Sequence, residues 1–302
     1  MSVNSLDALE IIPTAAAVGA EIRGVDFTQA IPDDIANALR QAWYDHLVVY
    51  FHDQNLKPEQ FVTAVRIFGE PQVGGARKYW EAAGIKLPDI PREMSINSNL
   101  DSDGKPALRN HSLGSLEVIW HSDNSYVEKP PAGSCLYALE VPEGGSGNTS
   151  FNNQYLAYET LDDDLKKAIA GRCSKQDASR NSAGELRPGV DKPEIPEDVP
   201  GPMHPLVRIH PFTKKPALYL GRRRVYPSQY IEGYSNDESE VLLDKLWAHA
   251  TDDKLKWTQE WRPGDFLIWD NRCAMHRREA VDHTQRRFMY RTQFLGEDVI
   301  PA

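Results

Sequence analysis

The chain has 302 residues, a formal net charge of −10, 40% hydrophobic residues and 26% charged residues, which suits one large globular domain able to bury a full core. The acidic balance argues against a nucleic-acid partner or an anionic membrane surface, and no apolar run approaches the roughly 18 to 20 residues of a membrane span. Cys135, Cys173 and Cys273 lack C-x-x-C spacing, so neither a zinc ribbon nor a disulfide framework is expected; without a basic and apolar leader, a cytoplasmic protein is.

In chain order, residues 9–12 and 20–25 read as short strands punctuated by Gly19 and Gly24. Asp33-Asp34 opens a helix in which Ile35, Leu39 and Ala42 or Trp43 keep helical spacing. The apolar run Leu47-Val48-Val49-Tyr50-Phe51 predicts a buried strand. A second helix follows Pro58, with Phe61, Val65 and Phe68 on one stripe and Gly69 as its stop. Residues 71–116 lack a steady period and predict long loops with strand pieces such as 94–97. Loops of that length in a compact domain tend to be functional lids.

Strands are predicted at 135–139 and 148–151, on either side of a Gly144-Gly145-Ser146-Gly147 turn. No Gly-Lys-Ser/Thr follows those glycines, so they make no phosphate loop. A helix over 160–170 places Leu161, Leu165 and Ile169 on one side. The Pro-, Gly- and acid-rich stretch 180–205 reads as an insertion loop, because strands resume at 206–209 and 217–220. Ser235-Asn236-Asp237-Glu238 has capping-box form and opens a helix carrying Leu242, Leu243, Leu246, Trp247 and Ala250. The last predicted strands are 265–269 and 288–295. Many short strands with a few peripheral helices suit a mainly β fold, a sandwich or jelly roll, as a single domain over 1–302 with insertion or lid loops near 71–116 and 180–205.

The stretch Trp120-His121-Ser122-Asp123 carries the chemistry. Successive side chains on a strand point to opposite faces, so His121 and Asp123 share one. An imidazole and a carboxylate at that spacing are two thirds of a facial triad for non-haem Fe(II). His276 follows a strand end and the polar turn Trp269-Asp270-Asn271-Arg272, where a scaffold presents ligands. With His121 and Asp123 it completes two histidines and one carboxylate, leaving three positions open on the metal. His46, His52, His204, His210 and His249 flank buried strands or sit in a helix and read as packing or surface residues. On the C-terminal strand Arg287, Met289, Arg291 and Gln293 share one face, with the arginines about 13 Å apart at roughly 3.3 Å per residue. Two guanidiniums facing one interior need anionic partners, and a guanidinium clamps a carboxylate bidentately.

These words resemble the taurine dioxygenase and aryloxyalkanoate dioxygenase family. The matching pieces are Trp120-His121-Ser122-Asp123, Pro130-Pro131-Ala132, the turn from Gly144 to Thr149, His204-Pro205-Leu206-Val207, Trp269-Asp270-Asn271-Arg272 with His276, and Arg287 with Arg291. Gly24-Val25-Asp26 and Phe68-Gly69 also fit, so the resemblance spans nearly the whole chain. It implies a double-stranded β-helix, or jelly roll, that uses Fe(II), 2-oxoglutarate and O₂ and releases succinate and CO₂. By it His121, Asp123 and His276 are the iron ligands. Arg287 holds the distal carboxylate of 2-oxoglutarate with help from Thr149, which follows a turn one residue longer than the family's. Arg291 falls where taurine dioxygenase binds its substrate sulfonate. Gly74 and Arg77 replace a His and a Tyr of the taurine enzyme, and Glu117 replaces an Asn near the taurine amine. The resemblance therefore implies a small to medium organic anion other than taurine, with Arg77 as a second positive contact and Glu117 either paired with Arg77 or holding a cationic group. Hydroxylation at a carbon bearing a heteroatom leaving group would break the C–X bond. A homo-oligomer, dimer or tetramer, is expected. Two other readings of the same residues are a zinc hydrolase at the triad and a non-catalytic binding module on the same fold. Arg222-Arg223-Arg224 borders the site in relatives, and reads either as part of it or as a solvated basic turn.

Overall fold

The two strands that carry the candidate histidines pair side by side in one of two main sheets. The computed structural model describes residues 4–73, 77, 89–110, 114–181 and 184–302. The larger sheet has the order β1 (Glu10–Pro13), β2 (Ala20–Arg23), β3 (Val48–Phe51), β13 (Phe266–Asp270), β6 (Gly133–Glu140), β15 (Phe288–Gln293) and β4 (Ser95–Ser98). The second has the order β12 (Lys256–Gln259), β7 (Thr149–Asn153), β14 (Ala274–Arg278) and β5 (Val118–His121). Two ribbons pair β8 (Cys173–Lys175) with β9 (Met203–Pro205), and β10 (Val207–Ile209) with β11 (Pro216–Leu218). Neighbouring strands are antiparallel except β2 and β3.

Period-two alternation explains why the apolar runs are continuous. In β6, Leu136 and Ala138 face inward, where they join Leu267 and Trp269 of β13, Met289 of β15 and Phe151 of β7 in one core. Their neighbours Cys135, Tyr137, Phe266 and Ile268 face the other way. There they meet Ile35, Leu39 and Trp43 of α1 (Asp33–His46) and Phe61 and Val65 of α2 (Pro58–Arg66). Both faces of the central strands are therefore dry, and each large side chain buried this way contributes about 1.5 to 3 kcal/mol. The outer side of the second sheet is covered by α3 (Gln154–Glu159), α4 (Asp163–Ile169) and α5 (Asn236–Ala250). Met275 of β14 packs there among Leu242, Leu243 and Leu246. The capping box of α5 is present: Glu238 N–H donates to Ser235 Oγ (3.3 Å), and Ser235 N–H donates to Glu238 Oε2 (2.9 Å). This two-sheet, mainly β architecture is the expected jelly roll.

Several local expectations change. The helix expected over 160–170 is α4, which starts later, at Asp163, with Asp162 as its cap. A separate short helix that was not expected, α3, capped by Asn153, precedes it and ends at Glu159, with Thr160 and Leu161 in the turn between them. The second helix ends at Arg66, before Gly69. Strands β8, β12 and β14 have no strong apolar pattern and form because partners are there to pair with. The segment 71–116 holds β4, and Asn99 beyond it accepts from Arg287 N–H (2.8 Å) through Oδ1. Part of the expected lid is thus a fixed wall beside β15. Among the described residues, no helix is long and apolar enough to cross a membrane.

Candidate active site

The β5–β14 pairing sets His121 directly opposite His276. Arg278, two residues past His276, pairs with Val118, three residues before His121. One extra residue on β5 makes a bulge, which re-aims side chains locally. Val118 and His121, an odd number of residues apart, therefore line the same cavity. Asp123 lies not on the strand, as expected, but in the turn after it, followed by Asn124 at φ 47°. That turn is pinned by Asn271, whose Oδ1 accepts from Asp123 N–H (2.7 Å) and whose Nδ2 donates to Asp123 O (3.0 Å). His276 is within a strand rather than in a loop.

The three side chains converge. Asp123 Oδ1 is 3.7 Å from His121 Nε2 and 3.8 Å from His276 Nε2, and all three ligand atoms lie within 4.8 Å of one another. His121 Nδ1 is 2.8 Å from Ile119 O, an oxygen that only accepts. Nδ1 therefore carries the hydrogen and Nε2 presents its lone pair to the centre. Burial pushes the pKa of both histidines down, that of His276 well below the ordinary value with His121 as the next cause. Burial alone would raise the Asp123 carboxyl, but Arg291 and then His276 hold it well below the usual carboxylate range. Two neutral imidazoles and one carboxylate result, the donor set of a facial triad. Asp123 Oδ2 is taken on the far side, by Ser134 Oγ (2.6 Å) and Arg291 Nη2 (2.5 Å). Groups that orient a ligand in this way typically matter by about 10- to 100-fold in metal affinity. Ser134→Ala is expected to weaken Fe(II) binding by that order, measured by anaerobic titration; unchanged affinity would mean Arg291 alone fixes the carboxylate.

A pocket opens beside the triad, with His121 and His276 on its wall. Its wall includes Asn97, Thr149, Trp269, Arg278, Arg287 and Arg291, and no Asp or Glu. Arg287 is 1% exposed, and its Nη1 donates to Asn97 Oδ1 (3.1 Å), while Nε and Nη2 have no partner among the described residues. Burial, with the charge of Arg278, pushes the pKa of Arg287 well below its ordinary value. A guanidinium in that position is costly unless an anion joins it. Gly147, at φ +75°, leaves room for it: a Cβ there would stand 2.9 Å from Val281 and 3.3 Å from Arg287 Cδ. Trp261 Nε1 donates to Thr149 Oγ1 (3.0 Å), orienting that hydroxyl on the wall.

The expected substrate residues fare unevenly. Arg291 lies on the inward face of β15, as its parity predicts, but its partner is Asp123. Arg77 Nη1 reaches Ile90 O (3.5 Å) and Pro91 O (3.4 Å). Glu117 is exposed in an open cleft of about 970 Å³ that also has Arg222, Val225 and Tyr226 on its walls. Gly74 lies outside the described residues. Sequence reasoning missed Ser134, Asn271, Asn97 and Arg278. Ser134 is two residues before Leu136 and Arg278 two after His276, so inward parity was the available signal for both.

A second group, His210, Asp270 and Cys273, also converges, but it is closed. Asp270 Oδ2 takes His210 Nε2 (3.0 Å) and Arg272 Nη2 (2.6 Å), and Oδ1 takes Arg272 Nε (2.8 Å). Burial and the Asp270 charge push the Cys273 thiol well up, so no thiolate is offered. It is a buried ion pair beneath the site, with the Arg272 guanidinium 5.2 Å from the Trp43 ring.

Comparison with known proteins agrees with this geometry. An (S)-phenoxypropionate/alpha-ketoglutarate-dioxygenase of Sphingobium herbicidovorans is 30% identical, over 96% of this chain and 96% of its own length. An alpha-ketoglutarate-dependent sulfate ester dioxygenase of Pseudomonas putida is 29% identical, over 96% of this chain and 90% of its own. The crystal structure of AAD-2 in complex with Mn(II) and N-oxalylglycine superposes with a TM-score of 0.80 at 26% identity, covering 97% of this chain and 99% of that one. The family model described as taurine catabolism dioxygenase TauD, TfdA family matches residues 10–293. The chain belongs to the TauD/TfdA dioxygenase family.

Proposed function

We propose that the protein is an Fe(II)- and 2-oxoglutarate-dependent dioxygenase that hydroxylates a small to medium organic substrate. The observation that carries this reading is the adjacency of a two-histidine, one-carboxylate triad to a pocket holding the buried donors of Arg287 that are unmatched among the described residues. When bound, the iron supplies the oxidising chemistry, in which O₂ decarboxylates 2-oxoglutarate to succinate and CO₂ and the substrate carbon gains a hydroxyl. The chain supplies geometry and charge. His121, His276 and Asp123 hold the metal from one side. Arg287, with Thr149 on the same wall, takes the distal carboxylate of the co-substrate. Ser134 and Arg291 keep Asp123 Oδ1 turned toward the histidines. The inner core around Trp269 and Phe151 excludes water from His276: their rings stand 4.7 and 6.1 Å from its imidazole.

A zinc hydrolase at the same triad would have no use for the Arg287 pocket, and the named relatives are oxidative. Those relatives act on a phenoxypropionate and on sulfate esters, in which oxygen is bonded to carbon. We extend that feature to this chain: hydroxylation of a carbon bearing an oxygen leaving group gives an unstable product that breaks the C–O bond. The proposal includes a cytoplasmic homo-oligomer, which sedimentation and cell fractionation test. For the reaction, purified protein is incubated with Fe(II), 2-oxoglutarate and a panel of aryloxy acids, sulfate esters and sulfonates. Succinate release should rise with at least one class. Hydrolysis of a panel member without succinate or O₂ uptake would favour the hydrolase instead.

A further inference from the structure

The geometry points to Arg222, rather than Arg291, as the residue that reads the anionic group of the substrate. The backbone places it there. Ser122 N–H donates to Gly221 O (2.9 Å), and Arg222 is bridged to His121 itself. The segment is thus laid along the edge of β5 at the metal ligands. Arg222 lies on the wall of the open cleft and also on that of a small cavity that it shares with His121, Asp123 and Asp177. One residue therefore borders both the solvent-open cleft and the ligand set.

The charge balance at that end of the cleft is positive. Arg224 bears on Arg222 against the opposite charge of Asp123, and Arg187 and Arg180 bear on Arg224 against that of Asp177. Two carboxylates line the small cavity, and both are engaged. Asp177 accepts from Ser179 N–H (2.7 Å) and Ser228 Oγ (3.0 Å) and stands 3.7 Å from Arg224 Nε. Asp123 is held by Arg291 and faces the metal site. The cleft wall itself has three carboxylates, Glu117, Glu240 and Asp244, against Arg180, Arg222, Arg223 and Arg224, and Glu240 and Asp244 are matched by Arg223 at 2.7 and 2.8 Å. Arg291 Nη2 is already committed to Asp123 Oδ2, so it acts there as a positioning residue. Outward from Arg222 the cleft turns apolar, with Ile119 46%, Val225 88% and Tyr226 47% exposed. The occupant this suits has a negative head directed at Arg222 and an apolar body along that wall.

The inference deepens the dioxygenase reading, but its test does not need turnover. Anaerobic protein loaded with Fe(II) and 2-oxoglutarate is titrated calorimetrically with aryl and alkyl carboxylates and their methyl esters, 2-phenoxypropionate among them. Wild type should prefer acids. Arg222→Gln should raise the acid Kd by about 10- to 100-fold, the worth of a charge-assisted hydrogen bond. It should leave the ester and 2-oxoglutarate Kd values unchanged, which also shows that the variant is folded. Arg222→Lys should recover part of the loss. An acid-to-ester ratio unchanged in Arg222→Gln, or a wild type that binds no acid better than its ester, would overturn the assignment. Failure of the dioxygenase reading is a separate result: no succinate when O₂ is admitted, with the binding ratios still deciding Arg222.

Discussion

His276→Ala should lose the visible charge-transfer band of the anaerobic Fe(II)–2-oxoglutarate complex, and its succinate production should fall by more than about 100-fold. Changing groups that merely orient a ligand costs about 10- to 100-fold in metal affinity or activity, and His276 is placed to be a ligand itself. It is 7% exposed, and its Nε2 faces Asp123 Oδ1 at 3.8 Å. β14 is paired on both sides, to β7 and β5, so the backbone should hold after the side chain is removed. A useful control is His249→Ala. That histidine is on α5, where Nε2 meets Ala157 O at 2.8 Å, and its loss should leave the band intact. If His276→Ala keeps both the band and full turnover, the triad assignment is wrong.

The parts legible in the sequence were those with a period or a spacing. The runs 135–139 and 265–269 read as strands because both faces are buried, and inward parity placed Arg287 and Arg291 on one face of β15. The rest depended on long-range contacts. Asp123 shares a site with His121 through a turn held by Asn271, 148 positions away, and no i, i+2 rule contains that clamp. The bulge before His121 shifts the strand's parity, so alternation along β5 would have misplaced Val118. Strand β14 is a short mixture of Ala, Met, His and Arg whose shape comes from its neighbours. The resemblance implies a substrate contact for Arg291, and the structure gives it a carboxylate of the protein's own. That partner comes from the turn after β5, and a side-chain pairing between distant elements leaves no local pattern. Asn99, whose side chain holds the Arg287 backbone, sits in a polar run that looked like loop.

Arg287→Ala should raise the 2-oxoglutarate requirement by about two orders of magnitude or more while leaving Fe(II) affinity much less changed. Removing one member of a buried charge pair typically costs about 3 to 5 kcal/mol, and each 1.4 kcal/mol is about tenfold in an equilibrium constant. Arg287 is suited to that partnership because Nε and Nη2 are buried without partners, and two adjacent N–H donors of a guanidinium match the two oxygens of a carboxylate. Arg287→Lys keeps the charge but loses the fork, so it should fall between wild type and Ala. The competing candidate in the pocket is Arg278. Its Nη2 already donates to Gly114 O (3.1 Å) and to Leu116 O, which commits it to the chain leading into β5. Arg278→Ala should therefore disturb stability more than co-substrate binding. Isothermal titration of 2-oxoglutarate into the anaerobic Fe(II) protein separates the two. An unchanged affinity in Arg287→Ala together with a large loss in folded Arg278→Ala would assign the distal carboxylate to Arg278.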